Sequence, residues 1–191
     1  MSQSKKKNFN IAILGLLTAI MLILGLTPFG TISFGAISIT IAHIPILVAT
    51  LMLGLKEGFM LALIFGVFSM TKAYLAPVGL LDPLFQNPLI SIAPRLMIPI
   101  MTHLMAQATK SLNKTVGATL AVITGNLSNT FFVYLSMYLF VRDKFEIAAG
   151  KSAITAIIGL VSTSTFIKTI IVVIITVPIV TRIKVPKHYL N

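Results

Sequence analysis

One lysine, Lys168, lies inside a run from Ser152 to Thr181 that otherwise carries no charge. A charge near the centre of a bilayer costs about 3 kcal/mol on insertion scales, so such residues usually face a bundle interior and mark a substrate or ion site. Arg95 is the only charge in another apolar run, 89–108, and follows Pro94 about two turns into it. Two buried cations without a buried acid predict a site for a small anion, with a carboxylate as the obvious counter-charge.

Amides and hydroxyls accompany these two cations. Asn126 and Asn129 are three residues apart and share one helical face, where an amide can both donate and accept hydrogen bonds. Thr165 lies just before Lys168 and could satisfy its donors or a ligand hydroxyl. Two structural alternatives stay open: Arg95 could extend to lipid headgroups, and Asn126 could join helices. The predicted binding residues are Lys168, Arg95, Asn129, Thr165 and Asn126.

The acids and histidines argue against catalysis. The four acids of the chain all fall in predicted loops or at helix ends: Glu57, Asp82, Asp143 and Glu146. There is no cysteine, no His-Glu-x-x-His motif and no G-x-x-x-x-G-K-[ST] loop to hold ATP. His43 and His103 are too far apart for a local ligand pair, and we interpret each as a hydrogen-bonded helix residue. We therefore predict no catalytic residue, no metal and no cofactor, in a protein that binds its substrate but does not power transport.

The composition is that of an integral membrane protein. Of 191 residues, 57% are hydrophobic and only 10% charged, with a mean hydropathy of +1.00. The net charge of +11 lies mostly at the ends of apolar runs rather than in a basic stripe with aromatics, which argues against nucleic acid as a partner. The first apolar run follows three lysines, and because no small-x-small cleavage site is evident before Thr27 we interpret it as a retained helix.

Six apolar runs predict an all-α membrane protein with six transmembrane helices in a single domain, residues 1–191. At roughly 20 residues per span, the helices fall at about 9–26, 39–55, 58–75, 89–108, 115–141 and 153–182. Most basic residues gather on one side of this arrangement: Lys5, Lys6, Lys7, Lys56, Lys110, Lys114, Arg182, Lys184 and Lys187, against Lys72, Arg142, Lys144 and Lys151 on the other. The positive-inside rule then places both termini in the cytoplasm.

Two of the outward connections differ from simple turns. The segment 27–40 is uncharged and alternates in hydrophobicity around Ile32 and Phe34, which predicts an extended or hairpin-like segment at the outer mouth. It would act as a gate or as an ordinary interfacial loop. The segment 76–88 contains three prolines and cannot be regular helix throughout, so it is either a shaped lid or a turn.

Several short segments follow one another in a characteristic order and spacing. They are a first helix with small residues, Ile39-Thr40-Ile41-Ala42-His43-Ile44-Pro45, Leu53-Gly54-Leu55-Lys56-Glu57-Gly58 leading to Gly66, Ala93-Pro94-Arg95-Leu96, Asn129-Thr130 and Lys168. Over nearly its whole length the chain thereby resembles the substrate-binding S components of energy-coupling factor (ECF) vitamin transporters. The resemblance implies a multi-pass protein of the bacterial plasma membrane that captures a vitamin from outside. It also implies partners, namely a transmembrane coupling subunit and two cytoplasmic ATPase subunits, while the chain itself is no enzyme.

The resemblance assigns roles to two further regions. In this family the loop between the first two helices closes over the ligand, which corresponds to 27–40 here, and the whole protein is thought to topple in the membrane to release it inward. Small residues four apart on the first helix usually dock the coupling subunit through close backbone approach. The nearest match here is Gly15 with Ala19, and Ala12 lies about one turn earlier; the more usual pair is alanine with alanine.

Within the family the chain is most like the pantothenate-specific members and next like the riboflavin-specific ones. The riboflavin members have an asparagine matched by Asn129 and a lysine matched by Lys168, but their asparagine three residues before that lysine is Thr165 here. Pantothenate has one carboxylate, one amide and two hydroxyls, which suits Arg95 or Lys168 for the charge and Asn129 with Thr165 for the rest. A stand-alone carrier or channel is an alternative of another class, and an intramembrane enzyme is a third.

Overall fold

The computed structural model describes residues 3–27, 30–34, 37–77, 82–149 and 153–183. Lys151, Lys184 and Lys187 of the predicted charge pattern lie outside these ranges, as do residues 78–81 of the predicted lid. The described helices are α1 (Gln3–Leu26), α2 (Ile44–Met52), α3 (Leu55–Leu75), a 3₁₀ helix (Asp82–Gln86), α4 (Pro88–Ser91), α5 (Ala93–Ala108), α6 (Lys114–Phe140), α7 (Arg142–Ala149) and α8 (Ala153–Arg182). Two strands, β1 (Thr31–Phe34) and β2 (Ile37–Thr40), separate α1 from α2.

Within the described ranges, five helical segments are long and apolar enough to cross a bilayer: Asn8–Leu26, Leu55–Leu75, Pro88–Ala108, Lys114–Phe140 and Thr165–Arg182. Helices are suited to this environment because all their backbone groups can be paired within the segment. The predicted helical membrane fold is confirmed at this level.

The predicted second span, 39–55, takes a different form. Its first residues complete β2, and α2 has only nine residues, about 13 Å at 1.5 Å per residue, which is too short to cross a bilayer. Pro45 lies in the first turn of α2, where the missing backbone N–H costs nothing. All residues from Ile44 to Thr50 are buried, so the apolar character of this segment reflects contact with other helices rather than with lipid.

The hairpin predicted for 27–40 is confirmed. β1 and β2 pair antiparallel, with Thr31 opposite Thr40 and Phe34 opposite Ile37. A hydrogen bond from the backbone N–H of Ile41 to the carbonyl oxygen of Gly30 closes its base. Because an isolated two-stranded hairpin is marginally stable in water, its contact with α8 through β2 is what we expect to hold it in place.

Side-chain hydrogen bonds fix how α1 and α3 lie. Near the starts of the two helices, Asn10 Nδ2 donates to Glu57 Oε1 at 3.3 Å. Near their ends, Lys72 Nζ donates to the carbonyl oxygen of Gly25 at 2.7 Å. The two helices therefore run parallel and side by side. The hairpin and α2 return the chain from the end of α1 to the start of α3.

Reciprocal hydrogen bonds tie the described part of the connection from α3 to α5 to the end of α3. Tyr74 donates its hydroxyl to the carbonyl oxygen of Gln86 at 3.3 Å, and Gln86 Nε2 donates to the carbonyl oxygen of Ala73 at 3.1 Å. Asn87 caps α4 by accepting the backbone N–H of Leu89 at 3.0 Å. As predicted from its prolines, this segment is not one regular helix, and its 3₁₀ turn is held against the end of α3.

Among the residues that the structure describes, buried apolar side chains form two clusters. The larger is centred on α2 and includes residues from α1, α3, α5, α6 and α8, among them Met21, Ile46, Leu61, Ile98, Val122 and Val172. The smaller lies where the 3₁₀ helix and α4 meet α6 and contains Leu84, Ile90, Val133 and Met137. The polar residues singled out from the sequence lie among the helices that build these clusters.

Candidate functional site

All five predicted binding residues are buried in the structure. Relative exposure is 9% for Lys168, 5% for Arg95, 6% for Asn129, 7% for Thr165 and 0% for Asn126. They come from α5, α6 and α8, of which α6 packs against both others. Burial at these values means that none of the five side chains is mainly solvated or lipid-exposed.

Lys168 has one neutral partner in the described structure. Its Nζ donates to Thr130 Oγ1 at 2.6 Å, although an ammonium carries three donors. None of the described acids forms an ion pair with it; Glu146, for example, pairs with Arg142 at the surface. Burial of a cation without a counter-ion is costly, so the surroundings of Lys168 favour an anion.

Arg95 is held more completely. Its Nη1 donates to the carbonyl oxygen of Ile90 at 2.8 Å, and its Nη2 donates to Ser69 Oγ at 3.2 Å. The guanidinium carbon lies 4.8 Å from the ring centroid of Phe85 and 5.8 Å from that of Phe65, which allows cation–π attraction. Its Nε is buried without a partner. The protein itself therefore supplies hydrogen-bond acceptors and aromatic rings to much of the Arg95 guanidinium.

Asn126 joins three elements. Its Oδ1 lies 2.9 Å from His43 Nε2, at the start of α2, and its Nδ2 donates to Thr169 Oγ1 of α8 at 2.7 Å. Both ends of the amide are thus engaged, which fits the helix-joining alternative better than direct ligand contact. Asn129, by contrast, has a buried Oδ1 without a hydrogen-bond partner, so it offers an acceptor to a ligand.

Lys168 and Arg95 lie close enough for their positive charges to repel each other. Like charges interact strongly where the dielectric constant is low, and no described acid neutralises this pair by a direct contact. The interior between α5, α6 and α8 is therefore electropositive. Such a site attracts a small anion and disfavours a cation.

The predicted set omits several side chains that the structure brings to the site. Four of them are His43, Thr130, Ser69 and Phe85. Thr130 could have been included from its spacing, because it follows Asn126 by four residues and shares its face. The other three come from distant segments, and their contacts depend on how α2, α3 and the 3₁₀ helix pack, for which the sequence carries no local signal.

The predicted docking residues lie on an open face of α1. Ala12, Gly15 and Ala19 are all exposed, and a Cβ built on Gly15 would meet nothing within 4 Å. Gly25 on the same helix differs, since a Cβ there would collide with the ring of Phe68. The small residues of the first group leave a shallow strip that another helix could approach closely.

Comparison with known proteins identifies the family. The family described as "ECF transporter, substrate-specific component" matches residues 9–180. The chain is 28% identical over 192 residues to the pantothenic acid transporter PanT of Lactococcus lactis subsp. cremoris (strain MG1363), covering 92% of this chain and 94% of that relative. The solved structure of ThiT from Listeria monocytogenes has the same fold, with a TM-score of 0.64 at 19% identity, covering 97% of this chain and 100% of that one. The resemblance found in the sequence is thus confirmed, and the chain belongs to the family of substrate-specific S components of ECF transporters.

Proposed function

We propose that this S component captures pantothenate from outside the cell for uptake driven by ATP hydrolysis in its partner subunits. The observation that carries the proposal is the pair of buried cations, Lys168 and Arg95, without an acidic partner among the described residues. Pantothenate supplies one carboxylate for this site, together with an amide and two hydroxyls for neighbouring polar groups. Similarity to a relative named as a pantothenic acid transporter supports the same substrate.

Lys168 takes the carboxylate in this proposal, and Arg95 supports the site. The ammonium of Lys168 has donors to spare beyond its bond to Thr130. The guanidinium of Arg95 is already bonded to Ile90 and Ser69. A charge-assisted hydrogen bond is about twice as strong as a neutral one, so the less satisfied cation gains more from the ligand.

Asn129 and Thr165 serve the uncharged part of the ligand. The free Oδ1 of Asn129 accepts an O–H or N–H donor. Thr165 is buried on α8, nearly one turn before Lys168, and its hydroxyl serves either role in this proposal. Asn126 acts indirectly by holding α2, α6 and α8 together.

The parallel arrangement of α1 and α3 supports a six-crossing topology with both termini in the cytoplasm. Since Asn10 and Glu57 meet at one end, the chain must come back to that end through the hairpin and α2, and the buried α2 does so within the helix bundle rather than as a full lipid-exposed span. Lys114 Nζ donates to the carbonyl oxygen of Thr181 at 3.1 Å, so the start of α6 and the end of α8 also share an end. In this topology the hairpin is a gate on the outer side, next to α8.

Vitamin binding by the purified protein tests the substrate. Calorimetry with pantothenate and with riboflavin, on protein freed of endogenous ligand, should show tight binding of pantothenate alone. Riboflavin binding instead would keep the family and overturn the substrate. Solute flux into vesicles that contain only this chain would favour a stand-alone carrier.

A second experiment tests the docking of a transmembrane coupling subunit on the α1 strip. Gly15→Leu fills the open space beside the helix, so we expect ATP-driven uptake to be abolished in cells while pantothenate binding stays unchanged. Gly15→Ala is the matched control, because a small residue preserves close approach. Equal loss of binding and uptake in Gly15→Leu would contradict a docking role.

A further inference from the structure

Three exposed basic residues lie where α5, α6 and α8 meet at one end of the bundle. Lys110 follows α5, Lys114 begins α6, and Arg182 ends α8. Lys114 Nζ donates to the carbonyl oxygen of Thr181 at 3.1 Å, so its ammonium reaches the end of α8, next to Arg182. We call these three basic residues the basic rim. The proposed substrate site and the strip of small residues on α1 leave them without a role.

The turn between α5 and α6 fixes the backbone on which two residues of the basic rim stand. The backbone N–H of Leu112 donates to the carbonyl oxygen of Thr109 at 3.0 Å. A Cβ built on Gly117 would lie 3.2 Å from the same carbonyl oxygen, so the end of α5 packs closely against the first turns of α6. The backbone positions of Lys110 and Lys114 are therefore set relative to each other.

The acids of the chain lie elsewhere. Asp143 and Glu146 follow α6 at its other end, and Asp82 begins the 3₁₀ helix after α3. Glu57 of α3 accepts a hydrogen bond from Asn10 of α1. Within the described ranges no acid forms an ion pair with the basic rim. Three like charges gathered without a nearby acid attract an anion.

Exposed apolar side chains continue from the basic rim along the membrane-spanning helices. Val116 and Leu120 are four residues apart on α6 and share one face, and they are 48% and 37% exposed. Ile175 on α8 is 38% exposed. Both helices include segments that are long and apolar enough to cross a bilayer, so these side chains face acyl chains. Positive charge at the end of such a surface suits an amphiphile with an anionic head.

We propose that the basic rim binds the headgroup phosphate of an anionic phospholipid, whose acyl chains lie along the exposed apolar face of α6. Basic pockets between transmembrane helices bind anionic headgroups, and each Lys or Arg near an anionic membrane surface strengthens the attraction about fivefold. In the proposed topology this lipid belongs to the cytoplasmic leaflet. The inference goes beyond the proposed function and does not depend on the identity of the substrate.

Native mass spectrometry of the purified protein tests this site. The protein would be incubated in detergent with equal amounts of phosphatidylglycerol and phosphatidylcholine that carry the same acyl chains. We expect wild type to retain mainly phosphatidylglycerol. In the double variant Lys110→Gln/Arg182→Gln, the ratio of bound phosphatidylglycerol to phosphatidylcholine should fall about fivefold for each residue removed. This variant keeps the hydrogen bond between Lys114 and Thr181.

The double variant Arg142→Gln/Lys144→Gln is the matched control. It also removes two exposed positive charges, but from the other end of α6, so the ratio of the two bound lipids should stay that of wild type. An equal fall in both double variants would show attraction by net charge alone and would overturn the proposal. An unchanged ratio in Lys110→Gln/Arg182→Gln would do the same.

Wild type alone provides a second test, which covers a variant that does not fold. Raising the salt concentration should lower the ratio of bound phosphatidylglycerol to phosphatidylcholine, because salt screens exposed charges. Glycerol 3-phosphate should not displace the lipid, because it lacks acyl chains. Equal retention of the two lipids, a ratio that salt does not change, or displacement by glycerol 3-phosphate would each overturn the proposal. None of these outcomes bears on pantothenate binding, so the proposed function is tested separately.

Discussion

The surroundings of Arg95 and of Lys168 differ, although both are buried cations facing one interior. Arg95 bonds to the backbone of Ile90 and to Ser69 and lies beside two phenylalanine rings. Lys168 has the hydroxyl of Thr130. A cation whose hydrogen-bond donors are paired within the protein stabilises the fold, whereas one with unpaired donors is available to a ligand. From this contrast we propose a mainly structural role for Arg95 and a mainly substrate-binding role for Lys168.

Replacing Lys168 with Met should have the largest effect, because it removes the ammonium and keeps the length of the side chain. We expect pantothenate affinity to fall by about 1.5–3 kcal/mol, the value of a hydrogen bond to a charged group, as measured by calorimetry. The ligand-free protein should not lose stability, since an unpaired buried charge has been removed. Lys56→Met, at an exposed lysine, is the control. Unchanged affinity would remove Lys168 from the site.

Replacing Arg95 with Met should mainly affect stability. The free energy of unfolding should fall by about 1–3 kcal/mol, because the carbonyl oxygen of Ile90 loses its charged donor inside the protein. Thermal unfolding in detergent would measure this change. Arg95→Lys should not restore full stability, since an ammonium cannot reproduce the two-pronged contact of a guanidinium. A variant of normal stability that loses more affinity than Lys168→Met would reverse the assignment of the two cations.

Replacing Ser69 with Ala should have the smallest effect. It removes the one hydrogen bond from Arg95 Nη2, worth about 0.5–1.5 kcal/mol of stability, and pantothenate affinity should stay within twofold of wild type. Thr71→Ala is a matched control, because this exposed hydroxyl lies on the same helix and donates to the carbonyl oxygen of Val67 within that helix. A loss of affinity as large as that of Lys168→Met would show that the orientation of Arg95 is itself critical for binding.

The contrast between the two cations could not be drawn from the sequence. Arg95 and Lys168 each appear there as one charge in an apolar run, and neither run indicates what surrounds it. The partners of the Arg95 guanidinium include Ser69 of α3, which lies 26 positions earlier in the sequence. They also include the ring of Phe85 in the 3₁₀ helix. Such partners are set by packing between distant segments, which local patterns do not encode.

The sequence by itself determined the membrane class, the apolar helices, the hairpin after the first helix and the family, since each depends on composition, periodicity or ordered local segments. It also placed Lys168, Arg95, Asn126, Asn129 and Thr165 correctly among the buried residues, because a polar group in an apolar run must find a protein interior. The tertiary structure decided the rest. It made α2 a short buried helix instead of a full span, and it brought His43 to Asn126, because burial among helices and contact across 83 positions arise only when the chain packs.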